Sequence, residues 1–309
     1  MKIGSLCSGY GGLDMAVEAF YEAETMWMAD IDKASSKVIE QRWKLPNLGD
    51  LKKINWEEVE KVDILTAGYP CQPFSQAGQR KGANDERHLW PTIKEIISTI
   101  RPSVVILENV RGHLTLGFKE VLQGLTEIGY DARWEIVRAS DVGAPHRRER
   151  LFIIAYPNGS TSEQLRRTSR EIFRTGSEII NGSDRQEFRT SRSIVTNSND
   201  SGRIGNSKKP SSGYKSGAIS NTYSKQLQTD RQAQRLGWRL ETPLELQLRT
   251  APNPLDQSKL NPRFVEYMMG LPEGWVTDLD ISRAQQFKLL GNGVVPQQAF
   301  RALEILNTI

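Results

Sequence analysis

Six short apolar runs punctuate the first 155 residues: "KIGSLC", "TMWMAD", "DILTAG", "SVVILEN", "WEIVRA" and "LFIIAY". Several are apolar throughout rather than alternating, which is the pattern of strands covered on both faces. Between them, "LDMAVEAFYEA", "KASSKVIEQRW", "PTIKEIISTI" and "FKEVLQGLTEIG" repeat apolar residues at helical spacing. Pro91 suits the first turn of the third helix, and Gly129 suits the stop of the fourth. This alternation predicts an α/β fold, a doubly wound sheet with helices on both faces. Such sheets bind ligands at the carboxyl ends of their strands.

The texture changes near Tyr156. As far as about Arg235 the chain is rich in Ser, Thr, Asn, Arg and Gly and poor in aliphatic runs. Three pieces, "IAYPNGSTSEQLRR", "IVTNSNDSGRIGN" and "AISNTYSKQLQTDR", resemble one another, and a weak repeat or shared composition accounts for them equally well. Helical texture returns in "PRFVEYMMG" and "PQQAFRALEIL". That closing segment is too short for its own core, which predicts that it packs back on the first part. The expected organisation is a first catalytic part over 1–156, an inserted lobe over 157–256 and a returning segment over 257–309.

Charge sharpens this division. Residues 157–260 carry 17 Lys and Arg against 10 Asp and Glu, while the rest of a chain of net charge +4 is mildly acidic. A solvated basic surface and contact with a polyanion both fit. No apolar run approaches the length of a membrane span, and "MKIGSLCSGYGG" lacks the apolar stretch of a secretion signal. Two cysteines and three scattered histidines argue against a disulfide framework or a zinc cluster, and the expected location is the cytoplasm.

Four stretches carry candidate chemistry. "SLCSGYGGLDMA" puts Gly9, Gly11 and Gly12 in the turn from the first strand to the first helix, where backbone can approach a ligand closely. A tight structural turn is the competing reading. Asp30, ending the next strand, is placed to bind ribose hydroxyls, and the glycine spacing departs from G-x-G-x-x-G, which favours an adenosine cofactor other than NAD. Cys71 follows a strand inside "PCQPFS"; a buried structural thiol is the bland reading, and a rigid, reactive one is the other. Glu108 ends the apolar run "VVILENV", where a carboxylate is either hydrogen-bonded or raised in pKa for acid chemistry. "HRRER" brings Arg147, Arg148 and Arg150 directly before another strand.

Together these stretches resemble the DNA cytosine-5 methyltransferases of bacteria and phages. "SGYGG" is similar to that family's cofactor loop, "PCQPFS" to its nucleophile loop, "ENV" to its carboxylate motif and "HRRER" to its arginine motif. "NPRFVEYMMGLPEGW" and "GNGVVP" are similar to its two closing motifs, in the family's order. The resemblance implies a Rossmann-like mixed sheet of the S-adenosylmethionine-dependent methyltransferase fold, with a target-recognition lobe before the closing motifs. It implies that Cys71 attacks C6 of a flipped cytosine, that Glu108 stabilises the ring, and that Arg150, with Arg148 behind it, orients the base. S-adenosyl-L-methionine would supply the methyl group. Gly9, Tyr10, Gly11 and Gly12 would wrap its methionine part. Asp30 would take the ribose and Ile31 would flank the adenine. Asp50 and Leu51 would meet its amino edge, and Cys7, Pro70, Leu89, Asn292 and Val294 would complete the pocket.

The chain departs from the family pattern at four positions. Cys7 replaces a phenylalanine, Ser5 an acidic residue, His146 a glutamine and Gly293 a serine; these bear on cofactor affinity rather than reaction type. The implied partner is double-stranded DNA, read by residues 157–256, with a cognate restriction endonuclease as a further partner and a monomer as the default state. An RNA cytosine methyltransferase on the same scaffold and a catalytically lapsed DNA-binding module are the alternatives. The basic insert favours DNA, and the intact Cys71, Glu108 and Arg150 favour an enzyme.

Overall fold

Val104 to Leu107 are buried residue after residue, as expected for a strand with helices on both sides. A computed structural model describes residues 1–70, 89–159 and 260–308 of the chain. Six strands form one sheet: β1 (Lys2–Leu6), β2 (Glu24–Ala29), β3 (Ile64–Gly68), β4 (Val104–Val110), β5 (Tyr130–Arg138) and β6 (Glu149–Pro157). Their order is β2-β1-β3-β4-β6-β5, parallel through β4 and antiparallel at β6 and β5. The mixed, doubly wound sheet expected from the sequence is present.

The helices are α1 (Gly12–Tyr21), α2 (Lys33–Val38, extended by a π-turn over Ile39–Trp43), α3 (Trp90–Ile100), α4 (Phe118–Glu127), α5 (Pro262–Met268), α6 (Arg283–Asn292) and α7 (Pro296–Thr308). Pro91 lies in the first turn of α3, and α4 stops just before Gly129. Alternate residues of β4 and β6 divide between two cores. Val105, Leu107, Leu151 and Ile153 face α3 and α4, whereas Val104, Ile106, Phe152 and Ile154 face α1 and α7. Burying each such side chain is worth about 1.5–3 kcal/mol, so both layers are held by the hydrophobic effect.

The closing helix α7 packs on α1 and the sheet. Phe300, Leu303 and Leu306 of α7 join Val17 and Phe20 of α1 over the sheet, and the Phe20 and Phe300 rings meet edge to face at 5.5 Å. Gln298, fully buried, donates to the carbonyls of Val137 and Arg148, both at 2.7 Å, stitching α7 to β5 and to the turn before β6. A third cluster joins Tyr10 and Val38 to Leu271, Val276 and Leu290.

Candidate active site

The carboxyl ends of β1 to β4 lie along one edge of the sheet, and there they border a cavity of about 1030 Å³. β6 runs the other way, so it is its first residues, including Arg150, that reach this edge. Wall positions come from each crossing: Cys7, Gly9 and Gly12 after β1, Asp30 and Ile31 after β2, and Asp50 and Leu51 in the following turn. Pro70 after β3, Leu89 before α3, Glu108 in β4, Arg150 in β6 and Asn292 and Val294 from the tail complete it. Cys71 and most of residues 157–256, the expected recognition region, lie outside the described residues, although Pro70, bonded to Cys71, is on the wall.

One side of the cavity suits an adenosine. Asp30 accepts hydrogen bonds from Gly9 N (2.8 Å) and Asp32 N (2.8 Å), which lock its carboxylate beside the glycine turn. Burial nevertheless raises its pKa, and a carboxylate with two N–H donors retains acceptor capacity for a hydroxyl. Ile31 is 75% exposed, an apolar side chain left open beside the cavity. Asp50 accepts from Lys52 N at 3.1 Å, and Leu51 is buried next to it. A Cβ on Gly9, whose φ is +58°, would meet no atom within 4 Å, so the turn offers open backbone to a ligand. Carboxylates for hydroxyl and amino groups, apolar surface for a ring and an open turn fit the implied cofactor.

The other side holds Glu108. It is 5% exposed and stands beside Gly68 in the β3–β4 register. Arg150 Nε approaches its Oε1 to 2.9 Å, but without the alignment of a hydrogen bond, and Oε1 has none. Burial outweighs the attraction of Arg150 and Arg148 and pushes the Glu108 pKa up to about 7. The group is therefore poised between donor and acceptor at neutral pH. Asn109 Nδ2 donates to the carbonyl of Tyr69 at 3.1 Å and fixes the backbone just before Pro70. The Tyr69 hydroxyl in turn lies 3.0 Å from His113 Nε2.

Three expected site residues stand off the wall. Arg148 points at the tail, where its Nη2 donates to the carbonyls of Gly291 (2.9 Å) and Gly293 (2.5 Å). Tyr10 is buried, with its hydroxyl donating to Val294 O at 2.7 Å and its ring against Gly12 and Gly293. Gly11 caps α1 with φ +82° and donates to Ser8 O at 2.8 Å. All three support the turn and tail that border the cavity. Cys7 does line it, at φ +53°, and burial together with Asp30 pushes its thiol pKa up, so it stays protonated. His146 Nε2 lies 2.8 Å from Met268 O, joining the arginine run to α5.

Other positioning residues escaped the sequence reading. Asn47 Oδ1 accepts from Asp30 N (2.9 Å) and Gly49 N (3.0 Å), while its Nδ2 donates to Asp30 O (2.7 Å) and Ser36 Oγ (2.7 Å). It thereby sets both Asp30 and the turn bearing Asp50. Its signal was the turn composition of "PNLGD". Glu266, 2% exposed, accepts from Gly274 N, Val276 N, Thr277 N and Thr277 Oγ1 at 2.6–2.9 Å and ties the loop after α5 into one piece.

Residues 1–307 match the family described as C-5 cytosine-specific DNA methylase. Among curated proteins the chain is similar to Type II methyltransferase M.BsuFI of Bacillus subtilis, 33% identical over 156 residues, which is 49% of this chain and 38% of that protein. It is similar also to Type II methyltransferase M.Bsp6I of Bacillus sp. (strain RFL6), 34% identical over 51% of this chain and 53% of that one. The chain thus spans about half the length of the curated relatives it matches, or less. The solved structure of S. pombe Dnmt2 methyltransferase superposes on 99% of both chains with a TM-score of 0.57 at 18% identity, a likeness of fold. The sheet order, the carboxyl-edge cavity and a match over nearly its whole length place the chain in the C-5 cytosine-specific DNA methylase family.

Proposed function

We propose that this protein transfers a methyl group from S-adenosylmethionine to C5 of cytosine in double-stranded DNA. The observation that carries the reading is the placement of Glu108. A buried carboxyl, ion-paired with Arg150 through an oxygen that makes no hydrogen bond, shares one cavity with the Asp30–Ile31–Asp50 set and stands one strand from Pro70, the residue before Cys71. Bound between the glycine turn and the tail, S-adenosylmethionine supplies an electrophilic methyl group.

Cytosine C5 is a weak nucleophile, and the work of Cys71 is to change that. Its thiolate adds to C6, and the ring electrons move toward N3 and C5. Glu108, protonated in part near pH 7, holds the proton that N3 needs and accepts from the exocyclic amine. Arg150 steadies the Glu108 carboxylate form and the base beside it. Once C5 carries the methyl group, its proton leaves to solvent, the C5–C6 double bond re-forms and the C6–S bond breaks to return the thiolate. Reaching the ring requires the base to leave the helix stack, at a cost of about a few kcal/mol.

In this reading residues 1–156 and 257–309 form the catalytic unit, and residues 157–256 read the DNA. Their Arg, Asn, Gln and Ser side chains suit phosphate and base-edge contacts. The protein acts as a monomer in the cytoplasm of a bacterial or phage-infected cell, and a nuclease cutting the same unmethylated site is a natural partner.

Incubation with labelled S-adenosylmethionine should label duplex DNA, and bisulfite sequencing should locate the cytosine. Label on RNA alone, or on neither, would sink the proposal. Cys71→Ala should abolish transfer while retaining cofactor binding; undiminished turnover would remove the covalent route. DNA with 5-fluorocytosine at the target should trap an adduct, since fluorine does not leave C5 as a proton does.

A further inference from the structure

Asp14 lies in the first turn of α1 with 1% of its surface exposed. Two other buried carboxylates have their charge answered, Glu108 by Arg150 and Glu266 by three backbone N–H groups. Asp14 has no ion pair among the described residues. It accepts from Ser5 Oγ of β1 at 2.9 Å and from Thr66 Oγ1 of β3 at 2.5 Å, both neutral hydroxyls. Burial accordingly pushes its pKa up to about 6. A buried anion held by neutral hydroxyl and backbone donors at a helix start is costly unless a cation completes it.

The missing cation has a place to come from, because Ser5, Asp14 and Thr66 all border the cavity. Asp30 and Asp50 stand toward the β2 side of the sheet, and Glu108 stands on β4. Asp14, bonded to β1 and β3, lies between them. A ligand with its adenosine at Asp30 and its reacting end toward Glu108 carries its amino-acid portion across Asp14. Its transferable methyl must face the base, which leaves the ammonium for the floor. We propose that Asp14 receives the α-ammonium of S-adenosylmethionine, with Ser5 and Thr66 holding the carboxylate in position. This rests on the cofactor reading above. It also gives Ser5 a role: the strand position that bears an acidic residue in the family pattern here supports a carboxylate supplied from the helix.

The test is a calorimetric binding series on the full chain with S-adenosylmethionine, S-adenosylhomocysteine and desamino-S-adenosylhomocysteine. In the unaltered protein the desamino ligand should bind at least about tenfold more weakly than S-adenosylhomocysteine; equal affinities overturn the proposal without any variant. Asp14→Asn should weaken both ammonium-bearing ligands about ten- to a hundredfold and leave the desamino ligand unchanged. Asp14→Ser offers the same reading if the amide variant does not fold. Equal losses for all three ligands would make Asp14 a support of the turn and overturn the assignment, as would no loss. A loss confined to S-adenosylmethionine would assign the sulfonium instead and also overturn it. Failure of the unaltered protein to bind any of the three would remove the cofactor reading itself, a result distinct from each of these.

Discussion

At the scale of single residues, the departures from the family pattern are compensated locally. A Cβ on Gly293 would stand 1.9 Å from the Tyr10 ring, which is buried and bonded through its hydroxyl to Val294 O. The glycine is therefore the counterpart of the tyrosine, and a serine there needs a smaller residue at position 10. Gly293→Ser should cost about 1–3 kcal/mol by overpacking, measured by urea unfolding, and Tyr10→Ala should cost less in that background than alone. Glu108 makes a second prediction. Its folded pKa, about 7, lies above the ordinary value of 4.5, so the folded state holds the proton more tightly. Stability is then greatest below pH 4.5 for this group and declines as pH rises toward 7. Glu108→Gln should remove that decline, gaining stability over the unaltered protein at pH 8 compared with pH 5, while abolishing methyl transfer. An unchanged pH profile of melting would contradict it.

At the scale of elements, strand direction decides which residues meet. Glu108 and Arg150 are 42 positions apart in sequence and pair because β6 is antiparallel to β4, bringing a strand start beside a strand end. Five of the six strands were legible as apolar runs of strand length, whereas β5 mixes apolar with charged residues and buries only Tyr130 and Val137. α6 was not legible: Phe287, Leu289 and Leu290 are its large apolar side chains, too few to mark a stripe. The capping box of Ser282 and Gln285 was the signal available for its start. The loop after α5 rests on Glu266, whose oxygens accept four bonds. Glu266→Gln puts an amide donor against backbone N–H groups. We expect a loss of about 3 kcal/mol or more and early proteolysis of this loop, with Glu266→Asp retaining part of the stability.

At the scale of the whole molecule, the last segment completes the first. α7 covers a sheet face formed by Ile3, Ile64 and Ile106, while Val294 and Asn292 border the cavity. A chain ending at Leu290 would expose that face, so it should lose cooperative thermal unfolding and bind a hydrophobic dye. Supplying residues 291–309 as a peptide should restore part of the transition. Retention of a sharp transition in the shortened chain would show that the tail is an accessory.

Local pattern alone determined the strands, most helices and the strand-end positions of Asp30 and Glu108, because side-chain period and turn composition are properties of neighbouring residues. Family resemblance named the motifs on those elements, with Tyr10 around the cofactor and Arg148 behind Arg150. Tertiary structure decided where those side chains bond: the Tyr10 hydroxyl reaches Val294 O, 284 positions on, and Arg148 Nη2 reaches the carbonyls of Gly291 and Gly293, 143 and 145 positions on. It also decided that Asp14, an ordinary polar residue in a helical run, is a buried charge. Burial depends on which strands close over a side chain, and that is set by sheet order rather than by sequence spacing.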